Sequence, residues 1–317
     1  MASSRLLRAP GASITGWGVG LPDHVVTNAD LAARLDTSDE WIVERSGIRE
    51  RRIGGTTGSL AVEAGRAAMK DAGVDPASVD LLLLATSTPD QQMPATASFV
   101  QDELGLSGGA CDVNAACSGF VYALVAGYGM AALGAQRILV VGSDVMSRIT
   151  DQEDRGTAVL FGDGAGAVVL EATDGAGQLL GWDLGSDGSA RHILYADHGA
   201  HTEMDGKEVF RRAVRVMVSS SMRALEAAGL AAADVKLVVP HQANVRIIEA
   251  ACKRLEIPTE RAALVLERTG NTSAGSIPLA LADAADGGRI DDGDIVLVVG
   301  FGAGMSWASA VLRWAAR

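Results

Sequence analysis

Residues 107–136 read SGGACDVNAACSGFVYALVAGYGMAALGAQ, and this stretch decides the fold. SGGACDV predicts a short strand. The residues after it predict a helix that begins near Cys117. No residue from Val113 to Gln136 is charged. A helix apolar on all sides belongs in a core or a membrane. The run is long enough for a bilayer on length alone, but it is Gly- and Ala-rich, stands alone and has no flanking basic cluster. A buried helix of a soluble protein is therefore expected, and no membrane partner. The positive end of the helix dipole favours thiolate and can bring a Cys pKa below its usual value of about 8.5. An inert buried thiol is the commoner fate of a Cys among alanines, so this stretch alone leaves Cys117 open.

The flanking segments predict an alternation of strands and helices. SITGWGVG (13–20) reads as a strand broken by glycines; its G-x-G-x-G is weak evidence for a nucleotide loop, because Pro22 follows instead of a helix. Asn28 can cap a first helix, and Thr37 or Ser38 a second with acidic residues in its first turn. Residues 59–73 read as an amphipathic helix stopped at Gly73. LLLLATST (81–88) and RILVVGSD (137–144) read as strands buried on both faces. TAVLFGDGAGAVVLEA (157–172) reads as a hairpin joined by glycines.

The second half repeats the first. AAMKDAGVDPASVDLLLLAT (67–86) matches RALEAAGLAAADVKLVVPHQ (223–242) at an offset of 156 residues. NAACSG (114–119) matches NTSAGS (271–276) at 157, and RILVVG (137–142) matches IVLVVG (295–300) at 158. A nearly constant offset means two copies of one α/β unit. Strands without polar alternation need helices on both faces. Two such sheets can share a central layer made of the two apolar helices. The expected fold is α/β with five layers, α-β-α-β-α, built from two similar halves at residues 1–172 and 173–317.

Composition narrows the class. The 317 residues are 48% apolar with 38 glycines, a globular composition, and the formal charge is -12. Phosphate-backbone binding needs clustered Lys and Arg, so no nucleic-acid partner is expected. Three cysteines (111, 117, 252) are too few for a disulfide framework and lack zinc spacing. A reducing cytoplasm fits, and MASSRLLRAPGAS lacks the apolar core of a signal peptide.

Four features fall where α/β folds place their sites, at strand C-terminal ends and the helix N-termini beyond them. They are Cys117, His241 at the end of KLVVPHQAN (236–244), Asn271 in TGNTSAGS, and FGAGMSW (301–307), read as ending the last strand. A core histidine, a helix cap and a tight turn are the bland alternatives. A thiol, an imidazole, an amide and a loop rich in N–H groups together suit acyl transfer through a thioester. Cys-His-Asn sets also serve hydrolases, so residue types alone leave the reaction open.

DVNAACSGF (112–120), VPHQANVRI (239–247) and GNTSAGSIPLAL (270–281) resemble motifs of the β-ketoacyl-ACP synthase III family, of thiolase fold. TSDEWIVERSGIRERR (37–52) and DRGTAVLFGDGAGA (154–167) do so too. The resemblance covers nearly the whole chain, in order. It implies that Cys117 takes an acyl group from acyl-CoA, and that a carbanion from decarboxylated malonyl-ACP then attacks the acyl-cysteine. His241 and Asn271 would donate to the enolate, and the backbone N–H groups of Cys117 and Ala303 to the tetrahedral intermediate.

By resemblance Trp41 and Arg155 flank the CoA adenine, Arg45 meets phosphate, and Gly206 and Asn244 line the pantetheine channel. Met93 would close the partner's acyl pocket across a homodimer, and Leu160 and Phe210 would line that pocket. Arg246, Lys253 and Arg254, at i, i+7 and i+8, share one helix face. They would dock an acidic acyl carrier protein. No metal and no cofactor is implied; acyl-CoA enters as substrate. A relative serving polyketide or other secondary metabolism is the close alternative. A biosynthetic thiolase would carry a second Cys near FGAGMSW, which has none. A non-catalytic acyl-CoA or carrier-protein binder is the alternative outside enzymes. The stretch from Ser189 to Asp205 looks shorter than in well-known members, which leaves donor chain length open.

Overall fold

The computed structural model describes residues 11–315. Five strands form the first sheet: β1 (Gly11–Gly20), β2 (Leu81–Ala85), β3 (Gly109–Val113), β4 (Arg137–Val145) and β5 (Asp163–Thr173). Their spatial order is β1-β5-β4-β2-β3. The second sheet holds β6 (Leu179–Ser186), β7 (Val235–Pro240), β8 (Ile295–Gly302) and β9 (Ser306–Arg313), in the order β6-β9-β8-β7. The two sheets share one pattern. An antiparallel pair leads, a second antiparallel pair follows, and a parallel pair comes next. Where the first sheet adds β3, the second keeps only a bridge from Val238 to Ala262.

Three helical layers alternate with the sheets. Helices α1 (Asp39–Ser46) and α2 (Thr57–Ala72) precede α3 (Gly119–Ala132); α4 (Gly206–Ala228), α5 (Val245–Leu255) and α6 (Ser276–Asp286) follow. The central core joins Phe120 and Leu124 of α3 to Ile277 and Leu281 of α6 and to the facing sides of both sheets. Each such fully buried side chain contributes roughly 1.5–3 kcal/mol. Helix α2 covers the outer face of the first sheet, and α4 with α5 covers that of the second. The order is α-β-α-β-α, as the repeat requires. Residue 173, where the halves were divided, is the last residue of β5.

Several local expectations are corrected. Strand β1 is continuous through its glycines. A Cβ on Gly16, Gly18 or Gly20 would come within about 2.5 Å of backbone or Cβ atoms of Leu60, Ala64, Ala68 or Ala72, so these glycines seat α2. Residues 157–172 form no hairpin; a short helix, Arg155–Ala158, leads into the single strand β5. Gly164 and Gly166 admit Thr272, Pro278 and Leu279 at close range, a packing demand that resembles a turn signal in sequence. Thr27, not Asn28, caps the first helix, through a capping box with Asp30. FGAGMSW joins β8 to β9 through a short 3-10 turn, Ala303–Met305, instead of ending the last strand. Helix α3 is not buried all round: Met130 is exposed, as is Leu133 (84%) at its C-terminus. No described helix is long and apolar enough to cross a membrane.

Candidate active site

Cys117 lies two residues before α3, in the 3-10 turn Ala116–Ser118 that leads into it. Asn114 Oδ1 accepts from Ala116 N–H (3.2 Å), and Ala116 takes a positive φ of 47°. Ser118 Oγ and Ser306 Oγ both reach Ala115 O, at 2.7 and 2.9 Å, tying this turn to the β8–β9 connection. The second half repeats the device: Asn271 Oδ1 accepts from Ser273 N–H (2.9 Å), and Ser273 has φ 50°.

Burial decides the state of the thiol. Cys117 is 8% exposed, and desolvation pushes its pKa up to about 12, with the Asp144 charge adding to the rise. A hydrogen bond from Ser273 pulls the other way. The rise over an ordinary thiol disfavours thiolate by roughly 4 kcal/mol, against about 0.3–1 kcal/mol for a charge at a helix end. The expected low thiol pKa is therefore corrected: the resting group is a protonated thiol.

His241 follows β7 and is buried against Phe301 in an edge-on ring contact, centroids 5.4 Å apart. Its Nδ1 lies 2.7 Å from Ser276 Oγ. That oxygen also accepts from Gln242 N–H (3.3 Å) and keeps a hydroxyl proton that can point at Nδ1. In the tautomer in which Ser276 donates to Nδ1, the imidazole carries its proton on Nε2. Desolvation lowers its pKa to about 3, so it is neutral at pH 7. A histidine titrating near 6.5 unfolded and near 3 folded stabilises the fold above pH 6.5. That contribution fades as pH falls from 6.5 toward 3. His241→Phe is expected to flatten this part of the stability profile. Chemical denaturation of both proteins between pH 4 and 8 checks it, and parallel profiles would refute it.

Asn271 is held by its main chain. Its N–H donates to Leu160 O (2.8 Å), and its C=O accepts from Gly162 N–H (3.0 Å). With Oδ1 engaged by Ser273, the side-chain NH₂ is the group left for a ligand. Beneath this segment lies the buried Arg51, which donates to Asn28 Oδ1 and to the carbonyls of Val26 and Val159. Burial lowers its pKa to about 10, which still leaves it charged at pH 7.

Cys117, His241 and Asn271 open into one cavity of 780 Å³. Trp41, Arg45, Gly206, Asn244 and Arg246 line it as well. The Arg45 and Arg155 guanidinium carbons lie 4.5 and 4.8 Å from the Trp41 ring centroid, within cation–π range. Asn244 donates to Arg45 O (2.7 Å) and caps α5, so it ties the α1 side of the channel to the α5 side. Arg246, Lys253 and Arg254 are exposed on α5, and Glu249 shares that exposure. Lys207 also lines the channel.

A second cavity of 590 Å³ meets Cys117, and Ala303 lines it. Ser87, Met146, Ile149, Phe161 and Leu194 form much of its wall. Leu160 and Phe210 line the first cavity, together with Cys117, His241 and Asn271. Met93 is 84% exposed and lines neither cavity of its own chain. Sequence reading missed Ser273, Ser276 and Asp144. The serines stood inside quoted motifs, but nothing local marked them as partners of the thiol and the imidazole.

Two family models match, described as 3-oxoacyl-[acyl-carrier-protein] synthase III over residues 111–188 and its C-terminal part over residues 225–314. A β-ketoacyl-[acyl-carrier-protein] synthase III of Roseiflexus castenholzii is 49% identical, over 96% of this chain and 98% of its own. The chain belongs to the β-ketoacyl-ACP synthase III family. Its Bradyrhizobium diazoefficiens relative of the same name is 50% identical, over 95% of this chain and 98% of its own. The Aquifex aeolicus 3-oxoacyl-[acyl-carrier-protein] synthase III structure superposes with a TM-score of 0.93 at 43% identity, covering 96% of this chain and all of that one. The thiolase fold and the assignment as an acyltransferase of fatty acid biosynthesis follow from this membership.

Proposed function

We propose that this synthase III condenses an acyl-CoA primer with malonyl-ACP through an acyl-Cys117 intermediate, and so starts fatty acid biosynthesis. The observation that carries the reading is one channel. A thiol, a neutral imidazole and a side-chain amide lie in it, and Trp41 stands on its wall with two guanidiniums at the ring.

The Cys117 sulfur attacks the thioester carbonyl, the C–S bond to CoA breaks, and the thiol proton leaves with the CoA sulfur. The N–H groups of Cys117 and Ala303 hold the oxyanion. Malonyl-ACP then loses CO₂, and its thioester oxygen becomes an enolate facing His241 Nε2–H and the Asn271 NH₂. The enolate carbon attacks the acyl carbon, the bond to Cys117 breaks, and the sulfur regains a proton. No metal or redox cofactor takes part, since both steps are polar and the donors are protein groups.

Trp41, Arg45 and Arg155 receive the adenine and phosphates of CoA, with Gly206 and Asn244 along the pantetheine. The exposed cations Arg246, Lys253 and Arg254 dock the acidic carrier protein against an overall charge of -12. A homodimer is part of the reading. The edge strand β3 and the exposed Met93, Phe99, Met130 and Leu133 are the surface it would cover, and a monomer in sedimentation would overturn it. A cytoplasmic setting keeps the three free thiols reduced.

Intact-mass spectrometry tests the acylation. Acetyl-, isobutyryl- or hexanoyl-CoA should each be tried, and the preferred donor should add its acyl mass to Cys117. Malonyl-ACP should then discharge it with release of CO₂. Failure of all three donors to label the protein would overturn the reading.

A further inference from the structure

The two halves meet at their turns in a reciprocal way. Gly142 on β4 faces the turn of the second half, where an added Cβ would lie 2.2 Å from Ala274 O. Gly300 on β8, 158 residues later, faces the turn of the first half, where its Cβ would lie 3.5 Å from Cys117 O. Ala274 and Cys117 are equivalent at the 157-residue offset of the turns. Two residues further along each strand stand Asp144 and Gly302, again 158 apart. Here the halves differ.

Asp144 is fully buried, and its Oδ2 accepts from Ala274 N–H (2.9 Å). Its Oδ1 accepts from Ser87 and Thr88 N–H (2.8 and 3.0 Å) and from the hydroxyls of Thr86, Ser87 and Thr88. Neutral donors from two segments thus hold this carboxylate. It holds in turn the loop beyond β2 and the turn carrying Asn271 and Ser273. Gly302 faces the equivalent amide with nothing: an added Cβ would lie 2.6 Å from Cys117 N and 3.0 Å from Ala116 Cβ. Its φ of −159° is ordinary extended backbone, so space and not conformation demands the glycine. Among the described residues no loop or turn carbonyl accepts from the Cys117 N–H, which meets its own sulfur.

We propose that positions 144 and 302 divide the labour of the two halves. Asp144 occupies the Ala274 amide and fixes the turn that presents Asn271. The bare Gly302 keeps the equivalent Cys117 amide open to the acyl oxygen. Both are positioning residues, and the inference rests on the acyl-Cys117 reading.

Gly302→Ala is expected to slow acylation by acetyl-CoA at least about 100-fold, the effect of losing one oxyanion donor. Alkylation of Cys117 by iodoacetamide, a displacement with no oxyanion, should stay within about threefold of wild type. Acylation within tenfold of wild type would overturn the proposal, as would a parallel loss of alkylation in a folded variant. Asp144→Asn adds no volume and gives an independent arm. Its side chain cannot accept from both the 86–88 loop and Ala274. Acylation should persist, while discharge by malonyl-ACP slows at least about tenfold at unchanged KM. Discharge at the wild-type rate would overturn this arm. Wild-type acylation by acetyl-, isobutyryl- and hexanoyl-CoA is the control: it fails with all three only if the acyl-Cys117 reading itself is wrong, and the donor that labels wild type best replaces acetyl-CoA in the variants where the two differ.

Discussion

Cys117→Ala is expected to abolish condensation, a fall on the order of 10⁴ or more in kcat/KM, while the protein still decarboxylates malonyl-ACP. Among the described residues lining the channel Cys117 is the only thiol. The channel's remaining polar groups include a neutral imidazole and an amide, and neither forms a thioester with CoA release. The donors proposed for decarboxylation keep their own supports. His241 is held by Ser276 and Phe301, and Asn271 by Leu160, Gly162 and Ser273. None of these bonds passes through the sulfur. The buried thiol is neutral at rest, so alanine removes no charge from the core. Two readouts on one sample decide the matter, CO₂ release and β-ketoacyl-ACP formation. Ketoacyl product from the variant would remove Cys117 from the mechanism. Loss of CO₂ release together with product would mean that the thiol also serves the decarboxylation step.

The layered fold is legible because burial on both faces leaves a local trace. Runs such as LLLLAT and RILVVG carry no polar alternation, and the uncharged α3 carries none either. The repeat is legible because two copies of a unit keep their spacing. Close approach leaves a weaker trace. The glycines of β1 and β5 look like turn or loop glycines until α2 and α6 are placed against them. The thiol's acidity was misread for a related reason. Its position at a turn before a helix is local, whereas the burial that outweighs the dipole comes from both halves. Asp144 and Ala274 are 130 residues apart, and no window of sequence joins them. Cys117, His241 and Asn271, which line one cavity, lie within motifs near strand ends. Which of the two cavities Leu160 and Phe210 enter is set by the fold and leaves no trace in the local sequence.

Asn271→Asp separates the two half-reactions more sharply than any change at the thiol. The main chain of Asn271 bonds both ways, so an isosteric side chain can be carried without unfolding the segment. One carboxylate oxygen can keep the bond from Ser273 N–H that Oδ1 now makes at 2.9 Å. The other then stands where the NH₂ was. A donor becomes an acceptor, and a negative charge faces the oxygen on which enolate charge develops. Loss of one such donor costs about 10²–10³ in rate, and like charge in a desolvated site adds to that. Decarboxylation and condensation should therefore fall by about 10³-fold or more. In the proposed mechanism formation of acyl-Cys117 from acyl-CoA draws on the Cys117 and Ala303 amides instead, and it should stay within about tenfold. Asn271→Ala should fall between wild type and Asp, because it removes the donor without adding charge. Single-turnover acylation followed by chase with malonyl-ACP measures both steps. Equal loss in the two steps, or Asp no worse than Ala, would show that Asn271 acts through the fold and not on the enolate.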